Sequence, residues 1–357
     1  MMARQHAPSP SSSTTERTTG VCPAAVLSGL GAWLPPQVIG NQDLVDTHGL
    51  DTTDEWIRQR TGILRRHRAA PGVSTSDLAV EAGRRALRSA GSGKVDAVVL
   101  ATTTPDHPCP ATAPAVATRL GLTGVAAFDI AAVCSGFLYA LQGAAGLIAT
   151  GVADRVLVIG ADTYSTILDP DDRTTMPLFG DGAGAAVLRA GSPTEHGALG
   201  PAVLGSDGTG SEYIRIPAGG ARQRSRGRPP GPGEEYFRMQ GQAVFRTAVD
   251  AMAAAAGEAM RRAGWEPSDV SWLAAHQANA RILGAVAREL PIDSSRCLSN
   301  IADVGNTAAA SIPILLTQAA RRQDLKAGDK VVLTAFGGGL TWGAVTVTWP
   351  RLTVTED

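Results

Sequence analysis

The 357-residue chain repeats one order of segments twice, and this internal duplication constrains its fold more than any other feature. In each copy a helix-like segment and a strand are followed by a small-residue helix, a second strand and a glycine-rich strand. The first copy comprises residues 76–91, 94–107, 134–150, 153–160 and 180–188, and the second comprises residues 244–264, 268–276, 307–322, 328–336 and 337–347. Two such units are expected to pack together about a pseudo-twofold axis.

Alternating helices and strands favour an α/β protein, and continuous apolar strands indicate sheets covered on both faces. We therefore expect a layered αβαβα body with halves at residues 21–190 and 239–357. Residues 191–238, rich in Gly, Pro and Arg, are interpreted as an irregular connection. Its four arginines (222, 224, 226 and 228) mark either a solvated insertion or a docking surface for an acidic partner. Residues 1–20 are expected to form a disordered tail.

Composition excludes several classes of protein. With 44% hydrophobic and 18% charged residues the chain can bury a large core, and a net charge of −1 gives no reason to expect nucleic acid or a membrane as partner. The longest apolar stretch, residues 140–161, is interrupted by polar and charged residues, and residues 1–20 lack a signal-peptide core. Four cysteines (22, 109, 134 and 297) have no metal-like spacing and are too few for a disulfide framework. A reduced, cytoplasmic enzyme fits best.

Cys134 is the candidate nucleophile. It follows the strand-like residues 128–133 and precedes the helix-like residues 135–146, so it is expected at a strand-to-helix turn. Free N–H groups and the helix dipole there favour a thiolate, which is the form that attacks in nucleophilic catalysis. A small buried structural cysteine is the alternative.

His276 and Asn306 are expected to approach Cys134 from the second half. His276 ends a strand, and such ends gather at one edge of an α/β sheet. Asn306 begins the counterpart of the Cys134 helix, so the duplication brings the two together, although a structural histidine and an ordinary Asn N-cap are the alternatives. A convergent Cys, His and Asn predicts thioester chemistry, in which His276 Nε2–H and the Asn306 amide donate to an oxygen that becomes negative.

The two glycine runs have different interpretations. Residues 180–188 (GDGAGAAVL) lack the third glycine of a dinucleotide loop and lead into a strand, so tight backbone packing is preferred to cofactor binding. Gly337, Gly338 and Gly339 follow a strand, and an N–H there could form an oxyanion hole with the N–H of Cys134.

Four motifs (AAVCSGF, HQANARI, GNTAAASIP and FGGGLTWG) resemble those of β-ketoacyl-acyl carrier protein synthase III, a thiolase-fold condensing enzyme that starts fatty acid or polyketide chains. DEWIRQRTGI (54–63), PDDRTTMPLFGDGAGAAVL (170–188) and MQGQAVF (239–245) match too, in the family's order, from about Ala24 to Pro350. The resemblance implies a thiolase-like duplicated αβαβα layered fold. It also implies decarboxylative condensation of an acyl-coenzyme A primer with malonyl-acyl carrier protein to a 3-ketoacyl product.

The resemblance implies a role for each matching residue. Cys134 would carry the acyl group, His276 and Asn306 would assist decarboxylation, and the Cys134 and Gly338 N–H groups would hold the oxyanion. Coenzyme A would be bound by Trp56 and Arg173 around the adenine, Arg60 and Thr61 near the phosphates, and Gly241, Phe245, Ala278 and Asn279 along the pantetheine tunnel. Arg281 would attract the acyl carrier protein. A homodimer is implied, and no metal, nicotinamide or flavin.

One position departs from the family pattern. Acetyl-using members often carry a large aromatic residue 25 positions before the nucleophile, which reaches into the partner subunit's acyl pocket, whereas this chain has Cys109. A smaller side chain leaves room for additional carbons, each worth about 0.8 kcal/mol if buried. A primer branched or longer than acetyl is therefore predicted, although Tyr164, near the same pocket in the family pattern, could offset the gain.

Several rival activities share this scaffold. Relatives that only transfer acyl groups to a hydroxyl, an amine or a carrier protein often replace the Asn that is present here as Asn306. A degradative thiolase would need a second active cysteine near the last glycine run, and elongating synthases have a histidine in place of Asn306. Plant-type polyketide synthases also use Cys, His and Asn, but the contexts of residues 54–63 and 276–282 favour the carrier-protein-dependent type. A catalytically dead partner subunit would lack Cys134.

Overall fold

The computed structural model describes residues 22–354, so the predicted disordered tail at residues 1–20 lies outside the described residues. The strands are β1 (Ala24–Trp33), β2 (Gln37–Gly40), β3 (Arg65–Arg68), β4 (Ala97–Ala101), β5 (Ala126–Ile130), β6 (Arg155–Asp162), β7 (Gly182–Gly191), β8 (Leu199–Ser206), β9 (Ile214–Arg215), β10 (Arg238–Met239), β11 (Trp272–Ala275), β12 (Lys330–Gly337) and β13 (Thr341–Thr348). The helices are α1 (Asn41–His48), α2 (Asp54–Thr61), α3 (Thr75–Ser89), α4 (Ala113–Arg119), α5 (Gly136–Ala149), α6 (Ala221–Arg224), α7 (Gly241–Ala263), α8 (Ala280–Glu289), α9 (Ile301–Val304) and α10 (Ser311–Arg321).

The two main sheets repeat one strand order. The first runs β1-β7-β6-β4-β5 and the second, read in the same sense, runs β8-β13-β12-β11. In both, the first two pairings are antiparallel and the pairing of β6 with β4, or of β12 with β11, is parallel. A parallel bridge between Leu273 and Cys297 stands where β5 stands in the first sheet. The predicted duplicated α/β fold is therefore confirmed.

The helices pack on the faces of the two sheets and so form the layers of the fold. Helices α5 and α10 lie between the sheets and share one hydrophobic core with both. Helices α3 and α4 pack on the outer face of the first sheet, and α7 and α8 pack on the outer face of the second. This is an αβαβα arrangement. Small residues in the central layer allow close approach, since a Cβ at Gly160 would lie 2.4 Å from the Ala309 carbonyl oxygen.

Matching turns lead into the two central helices. Short 3-10 segments, Val133–Ser135 and Ala308–Ala310, precede α5 and α10. The first residue of each has a positive φ, 47° at Val133 and 46° at Ala308, which is a strained conformation for a residue other than glycine. Cys134 and Ala309 therefore occupy equivalent positions in the two turns, and Asn306 lies just before the second turn. Asn306 therefore does not begin the helix, as the sequence analysis expected, but lies a few residues before α10 begins at Ser311.

The connection predicted as irregular, residues 191–238, contains a regular strand. β8 occupies Leu199–Ser206 and forms the edge of the second sheet, where it is the counterpart of β1. Its glycine- and proline-containing sequence resembles a loop, and only its pairing with β13 makes it a strand. The four arginines between residues 222 and 228 are exposed. In the part of the chain that the structure describes, no helix is both long and apolar enough to cross a bilayer.

Candidate active site

One cavity of about 200 Å³ is lined by Cys134 from the first half and by His276 and Asn306 from the second. Its lining passes from the exposed residues Arg60 and Gly241 at the surface to the buried His276 and Asn306 inside. The three side chains that the sequence singles out therefore face one space. Element ends from both halves build it, because the turn before α5 and the end of β11 meet at the junction of the two sheets.

Cys134 occupies the middle of the turn before α5. The end of β12 packs directly on this turn, and a Cβ at Gly337 would lie 2.8 Å from both the Cys134 nitrogen and the Ala132 carbonyl oxygen. Burial, together with the negative charge of Asp162, raises the pKa of the Cys134 thiol well above its ordinary value. The sequence expectation of a thiolate is thus reversed for the resting enzyme. Desolvation of the sulfur outweighs the favourable backbone N–H groups of the turn.

Asp162, which sequence reasoning missed, ends β6 inside the molecule and is fully buried. Its carboxylate accepts hydrogen bonds from the Thr103 N–H (2.7 Å), the Ala309 N–H (3.0 Å), and the Thr102 and Thr104 hydroxyls (both 3.3 Å). Burial nevertheless raises the pKa of Asp162 to about 7. Because Ala309 belongs to the turn just after Asn306, this carboxylate joins the two halves. An acid at the end of an apolar strand is the only sequence signal for it.

His276 lies at the end of β11, as predicted, and is held from behind by Ser311 of α10. Its Nδ1 is 2.6 Å from Ser311 Oγ, which also accepts the Gln277 N–H at 3.3 Å. Burial lowers the pKa of His276 to about 3, so the imidazole is neutral at neutral pH. A Ser311 hydroxyl that donates to Nδ1 leaves the ring proton on Nε2, where it faces away from Ser311. Ser311 lies in the quoted GNTAAASIP motif, but sequence reasoning did not single it out as a contact of His276.

Asn306 presents a hydrogen-bond donor to the cavity. Its Oδ1 accepts the Ala308 N–H at 2.9 Å, and its backbone is fixed by the Leu178 carbonyl oxygen, which accepts the Asn306 N–H at 2.9 Å. With the side-chain oxygen occupied, the Nδ2 group remains to donate. His276 and Asn306 therefore line the same cavity, each with one polar group held by a neighbouring residue.

The residues predicted to bind the adenine and phosphates gather at the outer end. The guanidinium carbons of Arg60 and Arg173 lie 5.7 and 5.8 Å from the Trp56 ring centroid. Arg173 also donates to the Asp51 carbonyl oxygen at 2.9 Å, whereas Arg60 lines the cavity. Thr61 lines the cavity too, but its hydroxyl donates to the Ile57 carbonyl oxygen at 2.6 Å and so has no proton left for a phosphate.

All four residues predicted along the pantetheine tunnel line the cavity, namely Gly241, Phe245, Ala278 and Asn279. The Asn279 Oδ1 accepts the Ile282 N–H at 3.0 Å and so also caps α8. Arg281 is exposed, and its guanidinium carbon lies 5.8 Å from the Phe245 ring centroid. It therefore lies beside the entrance rather than in the cavity.

Three predicted residues have more complex positions. Gly337 lines the catalytic cavity, whereas Gly338 lines a neighbouring cleft together with Val133. Cys109 is exposed on the loop between β4 and α4 and does not line this chain's own cavity. Tyr164 is fully buried and lines the cavity.

Sequence reasoning also missed several apolar lining residues, although each lies in a motif already quoted or directly beside one: Phe179, Phe237, Met239 and Phe336. Their periodicity resembles that of ordinary core residues, so only the cavity distinguishes them. Among residues 22–354, no group of three or more His, Cys, Asp or Glu side chains could hold a metal ion.

The paired sheets and the Cys, His and Asn cavity define a thiolase-fold condensing enzyme. Residues 128–208 match the family model described as 3-oxoacyl-[acyl-carrier-protein (ACP)] synthase III, and residues 260–349 match its C-terminal model. A β-ketoacyl-[acyl-carrier-protein] synthase III of Streptomyces coelicolor, numbered 3, is 57% identical over 92% of this chain and 98% of its own. The chain belongs to the β-ketoacyl-[acyl-carrier-protein] synthase III family.

Solved structures agree with this assignment. The crystal structure of 3-oxoacyl-(acyl carrier protein) synthase III from Pseudomonas aeruginosa PAO1 has a TM-score of 0.87 at 50% identity, covering 92% of this chain and 99% of that one. The priming β-ketosynthase of the R1128 polyketide biosynthetic pathway has a TM-score of 0.86 at 32% identity, covering 94% and 99%.

Proposed function

We propose that this chain is a β-ketoacyl-[acyl-carrier-protein] synthase III that loads an acyl-coenzyme A primer on Cys134 and condenses it with malonyl-acyl carrier protein. The observation that carries the proposal is the single cavity to which Cys134, His276 and Asn306 contribute from two halves of the chain. Membership of the synthase III family supports the same reaction.

In the loading step Cys134 attacks the thioester carbonyl of the primer. The sulfur rests as a thiol, because burial and Asp162 raise its pKa. Its proton leaves with the sulfur of coenzyme A, so the step balances without a net base. The N–H groups of Cys134 and Gly338 are proposed to hold the oxyanion of the tetrahedral intermediate. Such a donor typically contributes about 10²–10³ in rate.

In the condensing step the malonyl carboxylate leaves as carbon dioxide and the thioester becomes an enolate. The neutral His276, through Nε2–H, and Asn306, through Nδ2–H, would donate to the enolate oxygen. A neutral imidazole suits this role, since a cation would over-stabilise the enolate and reduce its reactivity. The enolate carbon attacks the acyl-Cys134 carbonyl, and the released thiolate takes up a proton. The products are a 3-ketoacyl carrier protein, carbon dioxide and the free enzyme.

Substrate binding at the entrance depends on cations without carboxylate partners. Within the described part of the chain, neither Arg60 nor Arg281 forms an ion pair. We propose that Arg60 meets the coenzyme's phosphates and that Arg281 meets the acidic carrier protein or its phosphopantetheine arm. An adenine between Trp56 and Arg173 needs about 7–8 Å, twice the ~3.5–4 Å contact distance, and so Arg173 must move outward from its present 5.8 Å.

The remaining parts of the proposal concern assembly and primer. β5 is an edge strand of the first sheet and exposes Phe128, which suits pairing with a second copy in a homodimer.

In such a dimer Cys109 would reach the partner's acyl pocket and leave room for a primer branched or longer than acetyl. Comparing loading rates for acetyl- and isobutyryl-coenzyme A tests this, since a strong acetyl preference would contradict it. A cytoplasmic location without metal, nicotinamide or flavin belongs to the same proposal.

Intact-protein mass spectrometry tests the reaction itself. Incubation with an acyl-coenzyme A should add one acyl group to the wild type and none to Cys134→Ala. Malonyl-acyl carrier protein should then discharge the adduct with release of carbon dioxide. An adduct that malonyl-carrier protein cannot discharge would favour acyl transfer to a hydroxyl, amine or carrier-protein acceptor instead. Absence of any adduct would indicate a catalytically inactive subunit.

A further inference from the structure

The backbone of Asn306 is held by a short segment of the first half, residues 176–180. The Leu178 carbonyl oxygen accepts the Asn306 N–H at 2.9 Å, and the Gly180 N–H donates to the Asn306 carbonyl oxygen at 2.9 Å. Phe179 and Asn306 thus form a parallel bridge. The position of the Asn306 side chain in the cavity therefore depends on where the 176–180 segment lies.

The side chain of Arg66, on β3, holds that segment in turn. Its Nη2 donates to the Pro177 carbonyl oxygen at 2.7 Å and to Asn41 Oδ1 at 2.6 Å. Its Nη1 donates to the Ile39 carbonyl oxygen at 3.2 Å. Arg66 is fully buried, and within residues 22–354 it forms no ion pair. The guanidinium therefore serves as a rigid fork between the segment and the start of α1, a geometry that a lysine ammonium does not reproduce.

The base of the Arg66 side chain also packs on the loop that carries Asn306. A Cβ at Gly180 would lie 3.1 Å from Arg66 Cβ and 2.6 Å from the Val304 carbonyl oxygen. A Cβ at Gly305, which has a φ of 71°, would lie 3.2 Å from Arg66 Cβ. Packing this close leaves no room for the arginine, the segment or the loop to shift without the others.

We propose, resting on the proposed function, that Arg66 is a positioning residue for the condensing step. By fixing the 176–180 segment it sets where the Asn306 amide stands relative to the enolate oxygen. Arg66 does not line the cavity, so it reaches the reaction only through this segment. A misplacement of about 1 Å in a group that stabilises a transition state can lower the rate by about 10².

Primer loading should not depend on Arg66, because the coenzyme entrance has an anchor of its own. α2 carries Trp56 and begins at Asp54. Asn41 Nδ2 donates to Asp54 Oδ1 and to the Ile63 carbonyl oxygen, both at 2.8 Å. These bonds use the amide nitrogen, whereas Arg66 uses the amide oxygen. A positioning role therefore predicts a split between the two half-reactions, which a merely structural role would not produce.

Arg66→Lys tests the inference, because it keeps the cation and loses the fork. Loading of Cys134, measured as coenzyme A release, should stay within about twofold of the wild type. Discharge of the acyl adduct by malonyl-carrier protein, followed by intact-protein mass spectrometry, should slow by about tenfold or more. In an Asn306→Ala background the same substitution should slow discharge no further, because Arg66 acts through Asn306.

The matched control is the same substitution one residue earlier, Arg65→Lys. Arg65 also lies on β3, but it is exposed and pairs with Asp303 at 2.8 Å. An exposed ion pair of this kind contributes little, so both half-reactions should keep their wild-type rates.

Three results for Arg66→Lys would overturn the inference: equal slowing of loading and discharge, an unchanged discharge rate, or a full further loss in the Asn306→Ala background. If Arg66→Lys does not fold, Gly180→Ala takes its place. The added Cβ would push the same segment away from the Val304 carbonyl oxygen, so the same split is expected.

The wild type separates this inference from the function on which it rests. A wild type that is loaded on Cys134 and discharged by malonyl-carrier protein would uphold the function, even where discharge ignores Arg66. A wild type that no acyl-coenzyme A can load, or that malonyl-carrier protein cannot discharge, would overturn both.

Discussion

Substituting Asp162 by Asn should change how the stability of the protein depends on pH. The carboxyl is fully buried, and burial raises its pKa to about 7 despite four hydrogen-bond donors. In the unfolded chain the same group has its ordinary pKa of 3.8. As pH rises from 4 to 7 the unfolded state therefore loses this proton first, and the folded state is progressively destabilised relative to it. The amide introduced by Asp162→Asn does not titrate, so the variant lacks this component.

The magnitude follows from the two pKa values of Asp162. At about 1.36 kcal/mol for each pH unit, the wild type should lose about 3 kcal/mol relative to Asp162→Asn between pH 4.5 and pH 8. Urea unfolding of both proteins across this range measures the difference, and comparing the two cancels the titration of all other groups. A constant difference would show that the carboxyl is not forced to titrate near neutrality. A difference of opposite sign would show that its hydrogen-bond donors outweigh burial.

The same substitution should make Cys134 more reactive. The charge of Asp162 contributes to the raised pKa of the Cys134 thiol, so its removal lowers that pKa and increases the thiolate fraction at pH 8. Iodoacetamide labelling of Cys134 should be several-fold faster in the variant, with Cys134→Ala as the background for the other cysteines. Equal labelling rates would mean that the sulfur does not sense the carboxylate.

Three further predictions concern substrate handling. Ser311→Ala should slow decarboxylation of malonyl-carrier protein by roughly tenfold or more while loading of Cys134 changes little, because the His276 tautomer is no longer fixed; equal losses in both steps would mean a merely structural serine. Trp56→Ala should raise the KM for acyl-coenzyme A about tenfold with kcat unchanged, since a stacking surface is lost; an unchanged KM in steady-state assays would argue against adenine binding there. Arg281→Glu should lower kcat/KM for malonyl-carrier protein in a salt-dependent manner and spare primer loading; a loss that high salt leaves unchanged would place the carrier protein elsewhere.

The site residues that could be predicted were those marked by a local sequence pattern or by the internal repeat. Cys134 was found from a strand-to-helix change along the chain, and His276 from the end of an apolar strand. Asn306 was found because the internal repeat makes its segment the counterpart of the Cys134 segment. It lies before the 3-10 turn that precedes α10, rather than at the first residue of the helix. Asp162 also ends an apolar strand and Ser311 lies in the quoted GNTAAASIP motif, but neither was singled out, because a single polar residue in an apolar segment is as common in ordinary cores. Their importance comes only from what packs around them.

The fold was predictable to a similar extent. Helices α3, α7 and α10 follow from apolar spacing and terminal residues, and α7 is followed by Gly264 with a φ of 67°, as the left-handed cap requires. β8 was not predictable, because its sequence is that of a loop and only its partner β13 makes it a strand. Edge strands of this kind depend on pairing across the sheet rather than on local preference.

The order of residues alone determined that two similar units exist, that each forms a sheet with covering helices, and that a sulfur, an imidazole and a carboxamide come to one junction. These properties follow from periodicity and repetition, which are recorded along the chain. The tertiary structure decided the protonation of that site: a thiol at Cys134, a neutral His276 and a carboxyl at Asp162 that titrates near neutrality. The reason is physical, since desolvation of an ionisable group depends on segments distant in sequence that exclude water from it.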